Sequence, residues 1–129
     1  MIRPISKADW KAKASWLHSL RSCCLSGRSD GIELSHLHEG SFKLGRKVSG
    51  VLVLPMHHIL HKAQHKHPDF WNKALPGHDP KHWAVRLDDI YQVRDLEAAD
   101  ALLRDMQDQA NRDYLATFLA LAGLTMARR

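Results

Sequence analysis

The stretch "IELSHLHEGSFKLGRKVSGVLVLPMHHILHKAQHK", residues 32–66, decides how this chain is read. Its first part, "IELSHL", alternates apolar and polar residues, the period of a half-buried strand, and the alternation ends near His36. "HEGSFKLGRKVSG" carries three glycines and no sustained period, which predicts a loop. "VLVL" is a second short apolar run with two valines, a second strand, and Pro55 after it suits the first turn of a helix running to about His67. The order is strand, loop, strand, helix.

On such a helix His57, His61 and His65 stand four residues apart, so each is displaced by only about 40° from the last and the three form a stripe. Two imidazoles at this spacing can turn toward a common point and chelate one divalent cation. The same spacing also fits a histidine-rich polar face in solvent, and spacing alone does not separate the two.

Outward from this stretch the chain reads as helical. Residues 6–20 open with a serine N-cap and place Trp10, Leu17 and Leu20 at helical spacing. "CLSGRSDG" is rich in turn residues, so the chain reverses between Cys24 and Gly31. After Pro68 come a short helical piece, a Pro-Gly turn and a helix from about Pro80 capped by Asp79. Residues 94–127 repeat apolar residues every three or four positions, with a break expected near Asn111. The expected class is α+β, mostly helical with one small hairpin. Trp10, Trp16, Trp71 and Trp83 are expected in the core, and His18, His78 and His82 toward solvent. The apolar "LATFLALAGL" suits either a wall of the domain or the seam of a homodimer.

With 129 residues the chain is expected to form a single domain, 1–129, around one modest core. No segment reaches the roughly 18 apolar residues a membrane span needs, and the N-terminus lacks the apolar core of a secretory signal, so a cytoplasmic protein without membrane contact is expected. The only cysteines, Cys23 and Cys24, are adjacent, which argues against a disulfide framework. Lysine and arginine number 19 against 14 acids, for a net charge of +5. The bases crowd residues 3–47 while acids concentrate between Asp88 and Asp113, so the N-terminal half is expected to face a polyanion such as DNA.

From Cys24 to about Tyr91 the order of these features resembles the HNH endonucleases encoded by phages and prophages. Shared with that family are a cysteine-containing turn, a strand ending in histidine, a glycine-rich loop, a Val-Leu-Pro-Met step in place of Val-Pro-Leu, and a helix with His61 and His65. "HPDFW" and "GHDPKHW" are similar to the aromatic pair and the following helix start of that family. The resemblance implies a ββα-metal motif, with an HNH-like core at about 22–72 flanked by helices. It also implies a metal-dependent endonuclease that hydrolyses DNA phosphodiester bonds in phage DNA processing or recombination.

Carried over residue by residue, the resemblance makes His36 the general base and His61 and His65 the metal ligands, with His57 or His38 as a further ligand candidate. Arg46 and Lys47 of the loop, and Arg28, become candidates for holding phosphate. The cofactor implied is a divalent ion, with Zn, Ni, Mn and Mg all open; imidazole ligands without a carboxylate favour a transition metal. This chain has Ser35 where many such enzymes place an Asp or His ligand, and Gly50 where relatives often carry Asp or Asn. Relatives also often hold a structural zinc. Here Cys23, Cys24 and His57, with Ser26 at the second spaced cysteine position, fall short of the four ligands needed, so Cys24 is expected as a small buried residue. Two alternatives stand beside the nuclease: a DNA-binding or recombination-accessory protein with reduced catalysis, and a histidine-rich protein that only binds metal.

Overall fold

A computed structural model describes residues 6–37 and 52–127. The first helix, α1 (Lys7–Ser19), starts where the Ser6 side chain accepts the Asp9 amide at 3.2 Å and buries Lys13 and Leu17 four residues apart. The chain then reverses through residues 21–31 into β1 (Ile32–His36), which pairs antiparallel with β2 (Val53–His57) in the register Ile32↔His57 to His36↔Val53. The helix α2 (His58–Lys66) follows β2 directly.

The reversal is tied to β2 through the Cys24 amide, which donates to the Pro55 carbonyl at 2.9 Å. Gly31 ends it at φ +60°, where a Cβ would stand 2.7 Å from His58 Cδ2 and 3.0 Å from His57 Nε2. A glycine is therefore required both by the left-handed backbone and by the close approach of the two rings.

The start of α2 corrects one expectation. Pro55 does not open the helix; it lies within β2 opposite Leu34, and the helix begins three residues later with His57 as its N-cap. A two-stranded sheet leaves one edge of each strand unpaired, so a strand here tolerates a residue without an N–H. All five residues of β2 are buried. The strand therefore gains more from burial than a helical turn at this position would.

Four further helices complete the chain: α3 (Phe70–Ala74), α4 (Pro80–Val93), α5 (Leu96–Gln109) and α6 (Arg112–Leu121). Asp79, Asp95 and Asn111 cap α4, α5 and α6 by accepting the amides of Lys81, Ala98 and Tyr114. The break expected near Asn111 falls between α5 and α6, where the Asn111 amide donates to the Ala74 carbonyl at 2.8 Å. The buried apolar residues form one cluster drawn from every element but β1 and from the turn, with Ile32 and Leu34 of β1 packed against it and Met56, Leu60, Phe70, Leu87, Leu103 and Met106 among its most enclosed members. Burying each such side chain contributes about 1.5–3 kcal/mol. Leu115 and Leu119 of α6 are buried, and α6 packs on α2 and α3, so its apolar face serves as a wall of this core. Among the described residues no helix is long and apolar enough to cross a membrane.

Candidate metal centre

Alternation along β1 places Glu33 and Ser35 on one face and Leu34 and His36 on the other. The first face meets α2. There the His61 Nδ1 lies 2.9 Å from Glu33 Oε1, and the Ser35 hydroxyl donates to Gln64 Oε1 at 2.6 Å. One turn further along α2, His65 Nε2 stands 3.2 Å from His61 Nε2.

These distances fix a tautomer. An Nδ1–H of His61 donating to Glu33 leaves its Nε2 with a lone pair turned toward His65. A carboxylate behind a ligand histidine both holds the ring and raises its basicity, the arrangement that supports metal-bound imidazoles. Two nitrogens that each bind one ion at about 2.0–2.1 Å stand about 3 Å apart. The pair at 3.2 Å lies close to that spacing. Both rings reach solvent. Among the described residues no three His, Cys, Asp or Glu side chains are grouped to hold an ion.

His36 occupies the last position of β1, half-buried under the Trp10 ring at 5.0 Å. Burial, the charges of His61 and Lys13, and a hydrogen bond to the Leu34 backbone act on it together; burial dominates and holds its pKa below the usual 6.5. A pKa below 6.5 keeps the ring neutral at physiological pH, the state a general base requires. Lys13, behind it on α1, is buried and paired with Asp88 of α4.

His57 is separate from the pair. It is fully buried at the N-cap of α2; its Nδ1 accepts the Ile59 amide at 3.1 Å and its Nε2 lies 3.8 Å from Asp30 Oδ2. Burial and the neighbouring His58 depress its pKa despite Asp30. The three-histidine stripe is thus reduced to two residues, because a strand and a cap turn the first ring away. Cys23 and Cys24 are both fully buried and free. Burial pushes the Cys23 thiol up, but the Cys24 thiol, Ser26 and the backbone amides of His57 and Ser26 outweigh it and bring it down to about 6. Burial beside Cys23 pushes Cys24 the other way. Hydrogen bonds within the turn occupy these sulfurs, in keeping with Cys24 as a small buried residue.

Arg28 is engaged in structure. Its guanidinium forks onto Asp30 at 2.8 and 2.9 Å and donates to the Thr125 carbonyl at 2.7 Å, which ties the turn to the C-terminal segment. His38, Arg46, Lys47 and Gly50 lie outside the described residues. Glu33 and Gln64 are the site residues that histidine spacing does not reveal; the signal for Glu33 is the strand alternation, which puts it on the Ser35 face. No family model, no curated protein and no solved structure matches this chain.

Proposed function

We propose that this chain is a metal-dependent endonuclease of the HNH, or ββα-metal, type that hydrolyses DNA phosphodiester bonds. The observation that carries the reading is the His61–His65 pair, 3.2 Å apart on the helix that directly follows the hairpin, with Glu33 behind His61. Support also comes from the neutral His36 at the end of β1 and from the net charge of +5.

His61 and His65 would hold one divalent ion, with Zn, Ni, Mn and Mg as candidates, which supplies positive charge to the scissile phosphate and the departing 3′-oxygen. The chain's residues do the rest. On this reading the neutral His36 takes a proton from the attacking water, so the scissile phosphate has to reach from the His61–His65 pair on one face of β1 to His36 at the strand end on the other. Glu33 keeps the His61 lone pair forward. The basic N-terminal half receives the DNA backbone, and phage DNA processing or recombination is the setting this chemistry suits.

A second reading is favoured by Ser35. Its side chain is fully buried and its hydroxyl is spent on Gln64, so the strand offers no ligand where many HNH enzymes have one. On that reading the scaffold binds DNA as an accessory to recombination with little or no cleavage. Nicking of supercoiled plasmid by metal-stripped protein, with each metal added back, separates the two. The nuclease predicts metal-dependent nicking that His36→Ala abolishes while DNA binding persists; the accessory protein predicts salt-sensitive DNA binding and no nicking with any metal.

A further inference from the structure

A cleft of about 350 Å³ opens beside the histidine pair, walled by Leu37, Gln64, His65, Trp71, Pro80 and Lys81. His65 belongs to the pair and Leu37 is the chain neighbour of His36, so the cleft begins where the scissile phosphate would lie. We propose that it receives one unpaired base of the strand being cut, which makes single-stranded or locally opened DNA the substrate. This inference rests on the endonuclease reading above.

Size, shape and donors support that occupant. The volume is at the small end of ligand pockets, enough for one nucleoside and too small for a duplex. Trp71 and Pro80 supply apolar surface on which any base can stack, whichever its sequence. Lys81, with His65 and His67 nearby, supplies charge for the attached phosphates. Gln64 spends its carbonyl oxygen on Ser35, so its NH₂ remains to donate. The ring carbonyls and nitrogens of a base are acceptors for that amide.

The test is fluorescence anisotropy with a labelled dT12 single strand, the same strand carrying central abasic sites, and a blunt duplex of equal length, alongside cleavage of each. The proposal predicts that dT12 binds at least tenfold tighter than the abasic strand and is cut faster than the duplex. Trp71→Ala weakens dT12 binding by about 5- to 150-fold, the range of base stacking on an aromatic ring, whereas Trp71→Phe retains most of it. Lys81→Ala and Gln64→Ala, at positions that reach solvent, repeat the test should Trp71→Ala misfold. Equal binding of intact and abasic strands by the native protein overturns the base site, and so does equal cutting of single strand and duplex; metal-dependent cutting would then leave the endonuclease reading in place. Preference for dT12 without cutting of any substrate keeps the base site and removes the nuclease.

Discussion

In the proposed metal site, replacing Glu33 should change metal affinity although its side chain would not itself touch the metal. Its carboxylate bonds His61 Nδ1 at 2.9 Å, and the ion's position lies on the far side of the ring, roughly 7 Å from the charge when a metal–nitrogen bond is added. Glu33 is 54% exposed, so a dielectric near that of water applies. Between one negative charge and a divalent ion this gives about 1.2 kcal/mol, or about sevenfold in affinity, rising toward fiftyfold if the protein side of the ring halves the dielectric. Loss of the orienting hydrogen bond adds to this. Such second partners of ligand histidines are typically worth about 10- to 100-fold. Glu33→Ala should therefore weaken Zn²⁺ or Ni²⁺ binding within that range in isothermal titration calorimetry, and Glu33→Gln, which keeps an acceptor, should lose less. An unchanged affinity in Glu33→Ala, beside a loss in His61→Ala, would refute the argument and reduce the contact to a surface ion pair.

Three other outcomes follow from the packing and the charges. Leu60→Ala removes a fully buried side chain on the side of α2 away from the histidines and should cost about 2–5 kcal/mol in urea unfolding; a loss below about 1 kcal/mol would mean that α2 is not anchored as described. Lys13 is 1% exposed and bonded to Asp88, so Asp88→Ala should cost about 3 kcal/mol, while Lys13→Met should be near neutral because the burial cost leaves with the charge; equal losses in the two variants would contradict this. His36 and His57 both titrate below 6.5 in the folded protein, mainly through burial, so the unfolded chain binds more protons just below that pH. Stability of the metal-free protein should thus be full above pH 6.5 and fall as the pH drops toward 5, read as a falling Tm; a flat or rising Tm would go against it.

Residues 32–66 disclose the hairpin and its helix because each local signal agrees with the tertiary outcome: alternation up to His36, an apolar run at Val53 and Leu54, and a four-residue histidine repeat. The caps at Ser6 and Asp79 are legible for the same reason, since an oxygen on a short side chain meets an orphan amide wherever the helix lies. Pro55 misleads because its preference for a helix start is local, whereas the edge of a two-stranded sheet and the burial of β2 are not. That displacement removes His57 from the stripe. Glu33, Gln64 and Lys13 escape a motif reading because each acts through a partner at least 28 residues away in sequence. The shared face of Glu33 and Ser35 follows from strand period, but that this face meets α2 depends on how the helix returns over the hairpin.

The most direct measurement is Co²⁺ titration of the metal-stripped protein, followed by visible absorption and paired with plasmid nicking, for the native chain, His61→Ala, His65→Ala and the double variant. The account predicts one ion bound per chain, lost together with nicking in each single variant, because two imidazoles 3.2 Å apart are needed to hold it. Binding or nicking that survives the double substitution would contradict it and place the metal elsewhere in the chain.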